Sequence, residues 1–280
     1  MKRHRLRTLV VLLAAVLAAT GFWYVENYVI EAETFSLASP RLPPAFDGLR
    51  VVSLADLHGR VFPDGRLAEA VAAAEPDLIA LNGDIADENS DPAAVAREMG
   101  RLTESAPVYY VSGNHEWVME DPWGFFRLLE EAGVTVLHNE WEPLTVAGET
   151  IVLAGVDDPN GPWDQKTPEA LVAEIRAALG DVYILMLAHR NDQLELWSGL
   201  EVDTILCGHG HGGVVRLPFV GGLVGPGREW LPSYTGGLYE AGRTEMVVSR
   251  GLGNTGLPLR LFNRPHLPVV VLKSEGRATP

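Results

Sequence analysis

The sequence is poor in cysteine, in positive charge and in long apolar runs, and each shortage excludes something. Cys207 is the single cysteine among 280 residues, so no intrachain disulfide can form and thiols carry no information about export. It precedes Gly208-His209 on an apolar stretch and reads as a core residue rather than a nucleophile. Lys and Arg number 22 against 37 acidic residues, a net charge of −15. A basic footprint is missing, so nucleic acid is not an expected partner. No protein partner is predicted either. There are no internal repeats and no low-complexity block, because Gly and Pro are spread among turns.

One long apolar run does exist. Lys2, Arg3, Arg5 and Arg7 precede Thr8–Val25, which is almost entirely apolar and ends in Phe22-Trp23-Tyr24. Eighteen residues at helical rise cover about 27 Å, enough for a thin bilayer. The aromatic trio suits the interfacial belt. Basic residues before the span and Glu26, Glu31 and Glu33 after it put the amino terminus in the cytoplasm and the remainder outside. The alternative is a cleaved signal peptide, with Ala18-Ala19-Thr20-Gly21 as a passable small-residue site; it also exports the remainder. The expected division is therefore a basic stub and transmembrane signal-anchor over 1–27, one domain over 28–273 and a flexible tail over 274–280. Residues 1–25 hold four basic and no acidic side chains, which leaves a net charge of −19 on the rest.

Five polar motifs each follow an apolar run. Asp56-Leu57-His58-Gly59 follows Leu49–Leu54, and Gly83-Asp84-Ile85-Ala86-Asp87 follows Leu78–Leu81. Gly113-Asn114-His115-Glu116 follows Val108–Val111, Ala188-His189-Arg190 follows Tyr183–Leu187, and Cys207-Gly208-His209-Gly210-His211 follows Thr204–Leu206. Read singly, each is a turn or a strand-end histidine. Read together, they bring Asp, Asn and His side chains to the carboxyl ends of neighbouring strands, where side chains converge on one crevice. Mixed nitrogen and oxygen donors suit Zn, Mn, Fe or Ni better than Ca. One bridging carboxylate would hold two ions roughly 3.5–4 Å apart, the arrangement used for hydrolysis at phosphorus. Helices are predicted at 66–74, Pro92–Leu102, Pro122–Ala132 and Pro168–Leu179, three of them opened by proline. Strands alternate with helices in the first half, which implies βαβ units. The second half adds strands at Thr150–Ala154, Met246–Ser249 and Pro268–Leu272, so the fold class is α/β with two packed sheets and helices outside.

The five blocks, in this order, resemble the calcineurin-like metallophosphoesterase superfamily. Further similarity through Gly237-Leu238-Tyr239, the run Val248 to Gly253 and Arg264-Pro265 points to its membrane-anchored bacterial branch. That branch holds YkuE- and YaeI-like phosphodiesterases and UDP-diacylglucosamine pyrophosphatase-like enzymes. The resemblance implies a four-layer αββα sandwich of two mixed β-sheets. It implies a first metal on Asp56, His58 and His211, a second on Asn114, His189 and His209, and Asp84 bridging the two. His115 would contact phosphate and act as general acid, and Asp87 would orient a neighbouring ligand. Glu116 would be structural beside the Gly-Asn turn. Three departures stand out: Arg190-Asn191-Asp192 where relatives often have proline, Val214 where many have Gln, and His266 where Glu is frequent.

The function these residues imply is dinuclear hydrolysis of a phosphodiester or pyrophosphate by metal-activated hydroxide, on an envelope lipid or cell-wall component. The alternatives are a phosphomonoesterase or phosphoprotein phosphatase with the same site, and a catalytically silent metal-binding scaffold. Two loops, Asp157–Thr167 and Leu217–Gly237, either pin themselves to the sandwich by their aromatics or form a substrate rim. Arg190, Trp230 and Tyr234 are the candidate rim residues.

Overall fold

The computed structural model describes residues 2–62, 65–254 and 260–275. It opens on α1 (Lys2–Tyr28), a helix exposed from Arg3 through Val25 whose last turn, at Glu26 and Asn27, is buried against the rest of the chain. Its 27 residues span about 40 Å, and it is long and apolar enough to cross a membrane. The elements that follow are β1 (Glu31–Ser39), β2 (Arg50–Leu54), α2 (Arg66–Ala73), β3 (Leu78–Asn82), α3 (Pro92–Leu102), β4 (Val108–Val111), α4 (Pro122–Glu131) and β5 (Thr135–Val136). Then come β6 (Glu140–Val146), β7 (Glu149–Gly155), α5 (Pro168–Leu179), β8 (Ile184–Leu187), α6 (Leu194–Gly199) and β9 (Thr204–Cys207). The chain closes with β10 (Arg216–Leu217), β11 (Gly221–Gly222), β12 (Gly237–Ala241), β13 (Thr244–Val248) and β14 (His266–Ser274).

Two six-stranded sheets form, ordered β1-β14-β2-β3-β4-β5 and β12-β13-β9-β8-β7-β6; β10 and β11 pair as a separate small hairpin. Both sheets are mixed. In the first, β2, β3, β4 and β5 run parallel while β14 is antiparallel to β2. In the second, β7, β8, β9 and β13 run parallel, with antiparallel β6 and β12 at the edges.

Consecutive strand residues face opposite sides, so a strand buried on both faces reads as one apolar run. Val51, Leu78, Ala80 and Val111 meet Ile151, Leu153, Leu185 and Leu206 between the sheets. Their neighbours Val52, Ile79 and Leu81 face the other way, onto Leu67, Val71, Met99 and Phe126 of α2, α3 and α4. Ile184, Met186, Ile205 and Cys207 pack on Leu171, Ile175 and Trp197 of α5 and α6. The result is the four-layer αββα sandwich. Prolines open α3, α4 and α5, and Asp91, Asp121 and Thr167 cap them by accepting N–H bonds from the first turn. Of the expected tail, Ser274 pairs with Ser39 at the end of β14; residues 276–280 lie outside the described ones.

Candidate metal centre

All five motifs lie in loops that leave the carboxyl ends of parallel strands. Asp56 and His58 follow β2, Asp84 follows β3, Asn114 and His115 follow β4, His189 follows β8, and His209 and His211 follow β9. Each sheet therefore contributes donors to one crevice. Asp56, His58, Asp84 and His211 can offer ligand atoms that lie within 4.8 Å of one another, and so can Asp84, His189 and His209. Asp84 belongs to both groups. Its Oδ2 lies 3.1 Å from His189 Nε2 and 3.8 Å from His58 Nε2. Asn114 Oδ1 lies 3.2 Å from His189 Nε2, which adds it to the second group.

The donor set fits cations. His189 Nδ1 sits 2.9 Å from the Asn82 carbonyl, which can only accept, so the proton is on Nδ1. The Nε2 lone pair then points at Asp84 and Asn114, both oxygen donors, and the contact needs a positive charge between them. Burial works against a charged imidazole here, but Asp84 outweighs it and pushes His189 up to about 10. A divalent ion meets the same demand as that proton. On the other side, His58 Nε2 and His211 Nε2 face each other at 3.2 Å, and buried Asp56 Oδ2 has no hydrogen-bond partner. Burial, with the Asp84 charge adding to it, lifts Asp56 to about 6 against the pull of His189. Burial and the charge of His58 hold His211 well below its ordinary value. Converging lone pairs and an unpartnered carboxylate oxygen are what a two-ion site looks like before the ions are counted.

Backbone strain is concentrated at these positions. Asp56, His58, Asp84, His209 and His211 all have φ between 45° and 64°. The left-handed region is uncommon for non-glycine residues and costs of order 1–3 kcal/mol each. Interlocked loops hold it: Asp56 N–H donates to Gly83 O, His58 N–H to Asp84 O and His209 N–H to Asp56 Oδ1. Two glycines make the close approach possible. A Cβ on Gly113 would stand 2.4 Å from Asp84 N, and one on Gly208 would stand 2.4 Å from Ala55 Cβ.

Glu116 is structural, as its position suggests. Fully buried, it accepts N–H bonds from Asp84 and Gly113 on Oε2 and from Ile85 and Ala86 on Oε1. It therefore ties the Asp84 loop to the Asn114 loop. Glu116→Gln keeps the shape but turns one acceptor into a donor facing two N–H groups. We expect a loss of about 1–3 kcal/mol, roughly 2–4 °C of melting temperature per kcal/mol, and weaker metal retention. A thermal melt of the metal-loaded protein checks it; an unchanged midpoint would show that the loops hold themselves.

Asp87 Oδ2 stands 3.7 Å from His58 Nδ1, behind the ring and outside both donor groups. His115 is also outside them. Its ring lies edge-on to His58 with centroids 4.8 Å apart, its Nδ1 is 3.3 Å from Glu88, and it lines a cavity of about 330 Å³ with Asp84, Asn114, His209 and His211. The far wall of that cavity is Val214, Val224, Gly225, Pro226 and Arg228. His58 lines a second cavity of about 310 Å³ with Arg60, Val61, Asn254 and the end of α1. A larger cavity of about 440 Å³ beside Arg41 and Asp181 carries none of these donors.

The three rim candidates separate. Arg190 stands beside the second group, Nη1 at 3.1 Å from His209 Nε2, and is gripped by both oxygens of buried Asp158 at 2.5 and 3.0 Å. None of the three, Arg190, Tyr234 or Trp230, is among the residues lining the cavity. Tyr234 packs edge-on against Tyr239 and donates to Glu195, so its ring pins the loop, and Trp230 projects outward. Val214 and Arg228 take the wall instead. The expected rim missed Asp158, although Asp157-Asp158 follows β7 just as the other motifs follow their strands.

The family model described as calcineurin-like phosphoesterase matches residues 49–213, from just before β2 to just past His211, and so contains every donor above. The chain belongs to the calcineurin-like phosphoesterase family. It is 31% identical over 276 residues to the uncharacterized metallophosphoesterase YkuE of Bacillus subtilis, covering 94% of each chain. It is 31% identical over 272 residues to phosphodiesterase YaeI of Escherichia coli, covering 92% of this chain and 95% of that one. A transmembrane protein with metallophosphoesterase domain from Bos taurus is 30% identical over 252 residues; the match covers 84% of this chain and about half, 55%, of that relative. Among solved structures, the sulfate thiohydrolase SoxB of Thermus thermophilus superposes with a TM-score of 0.50 at 14% identity, over 83% of this chain and 57% of that one, a likeness of fold. As a calcineurin-like phosphoesterase, this protein is a metal-dependent phosphoester hydrolase whose donor groups fit a binuclear divalent site. The apolar α1 and the transmembrane relatives point to a membrane-anchored protein.

Proposed function

We propose that this calcineurin-like phosphoesterase cleaves a phosphodiester or pyrophosphate bond of an envelope lipid or cell-wall component. In this reading Asp56, His58 and His211 hold one ion, Asn114, His189 and His209 hold the other, and Asp84 bridges. Bound there, the ions would neutralise phosphate charge and acidify a water. The chain's own residues do the rest. Asp84, held by the His115 N–H at 2.8 Å, is oriented toward both groups. His115 reaches into the cavity from the Asn114 loop and supplies a proton to the leaving oxygen. Arg228 on the opposite wall offers a cation to the substrate anion.

The observation that carries the diester reading is the pair of cavities. One is lined by Asp84, Asn114, His209 and His211, and the other by His58, so two spaces border the donors. A diester or pyrophosphate has a substituent for each; a monoester leaves one empty. The proposed topology is a single span with a cytoplasmic amino terminus, residues 1–27 as anchor and 28–273 as catalytic domain outside. That boundary cuts a joint, because Glu26 accepts the Asn263 N–H and Asn27 bonds both ways with the Arg260 backbone. The test therefore uses the full chain in detergent. Stripped by chelator and reloaded with Mn, Zn, Fe or Ni in turn, it is expected to cleave bis-p-nitrophenyl phosphate much faster than p-nitrophenyl phosphate. Cleavage of the monoester alone would replace this reading with a phosphomonoesterase.

A further inference from the structure

We propose that the segment from Leu217 to Leu231, the turn of the β10–β11 hairpin and the turn closed by Val224 and Trp230, is a second membrane contact, dipping into the same leaflet from which α1 emerges. The starting observation is an apolar surface without cover. Phe219 is fully exposed at 109%, Trp230 is 76% exposed and Leu231 60%, and Val220 beside Phe219 is exposed as well. Scattered exposed apolar residues are ordinary, but a turn of sequence Leu-Pro-Phe-Val with its aromatic wholly in the open is not.

The contacts lead from this hairpin to the anchor. Arg216 at its base donates its N–H to Leu261 O, and Val215 bridges to Leu261. The next residue, Phe262, packs edge-on against Phe22 of α1, ring centroids 5.6 Å apart. Phe22 lies six residues before the end of α1, so this contact sits about 9 Å up the helix axis toward the membrane. The hairpin is hung from the segment that climbs α1 to the level of its aromatic belt. Phe262 is itself 49% exposed.

Charge agrees. In a chain of net −15, three arginines stand around the end of α1, with Glu69 alongside Arg66. Arg66 donates to Tyr24, Arg60 lies over the Tyr28 ring at 5.1 Å, and Arg264 donates to Val29 O and Ile30 O. Glu26 on the same turn faces inward to Asn263. Cations at the helix exit and aromatics beyond them match a phospholipid surface, where headgroup phosphates overlie acyl chains.

The consequence reaches the metal centre. Asn263 donates from its side-chain amide to His211 O and Val214 O, so the joint at α1 also positions the loop carrying a proposed ligand. Val214, Val224 and Arg228, from the hairpin and its flank, wall the reactive cavity. A hairpin resting in the leaflet puts that cavity at headgroup depth, where a lipid-borne phosphate lies. This last step rests on the reading under Proposed function; the docking itself does not.

The experiment keeps them apart. Full-length Phe219→Cys, carrying Asp84→Asn so that no turnover is involved, is spin-labelled and reconstituted into vesicles of phosphatidylethanolamine and phosphatidylglycerol. Cys207 is buried, and the parent protein serves as the labelling blank. Val146→Cys on edge strand β6 is the aqueous reference. The expected result is a label at 219 that oxygen relaxes and a water-soluble nickel chelate does not, with a several-fold higher ratio of the two than at 146. Relaxation by both reagents would place Phe219 in water and overturn the proposal. Protection from both would mean a protein covers it, a second copy or another partner, and would overturn it too. A lipid-immersed label in a protein whose active form cleaves no lipid phosphodiester would sustain the docking and remove the lipid-substrate reading alone.

Discussion

Asp84→Asn protein is expected to lose about 10³-fold or more in kcat/KM and to retain at most one metal ion. The loss is electrostatic in origin. Asp84 is the one side chain common to both donor groups, it is buried, and its carboxylate is held well below the usual range. Burial alone would raise it; the charge and hydrogen bond of His189 and the charge of His58 outweigh burial. An amide of the same shape keeps one oxygen but loses the negative charge that offsets two cations. It also places an NH₂ group where His189 Nε2 or His58 Nε2 needs a cation. Ion binding is worth several kcal/mol of transition-state stabilisation, and about 4 kcal/mol corresponds to about 10³ in rate. Metal analysis of the purified protein and turnover of bis-p-nitrophenyl phosphate test this together. Full activity with two ions bound would mean the bridge lies elsewhere.

For His115→Ala the expectation is the opposite split: both ions retained, kcat on an alkyl diester down about 10²–10⁴. His115 is in neither donor group, yet its ring lines the reactive cavity and stands edge-on to His58. Its backbone N–H bond to Asp84 Oδ1 survives the substitution, so the metal loops stay in place. The loss is expected to be small for a nitrophenyl diester, whose leaving group departs unaided, and large for an alkyl diester, whose leaving oxygen needs a proton. Equal losses on both substrates, or loss of metal, would assign His115 a different role.

The strands legible in the sequence are those buried on both faces. β2, β3, β4, β8 and β9 read as apolar runs because one row of side chains fills the inter-sheet core and the other meets the helices. Besides the two-residue strands β10 and β11, the strands that patterning misses are β1, β5, β6 and β12, and these are the edges of the two six-stranded sheets. An edge strand is half covered, so β1 shows only Leu37 fully buried, and β6 carries Glu140, Glu142 and Pro143. α6, at six residues, is too short for helical periodicity to register. Of the rim candidates, Arg190 stands against His209, the Tyr234 ring turns to Tyr239 and Glu195, and Trp230 projects outward. Loop aromatics look alike in sequence whether they line a cavity or pin a loop.

What the sequence determined by itself was the inventory and its address. Asp56, His58, Asp84, Asn114, His189, His209 and His211 each follow an apolar run, and a side chain at a strand end can only emerge at the rim of a sheet. What tertiary structure decided was which donors meet. Asp84 and His189 are more than a hundred residues apart, yet their atoms stand 3.1 Å from one another. Two sheets must pack for that contact to exist. Asp56, His58, Asp84, His209 and His211 must also be held in left-handed backbone conformations by loops from other strands. The same holds for Asn263, which joins the end of α1 to the His211 loop across 52 residues of chain. Local propensity cannot encode such contacts, because they are stabilised only when the distant segments are already in place.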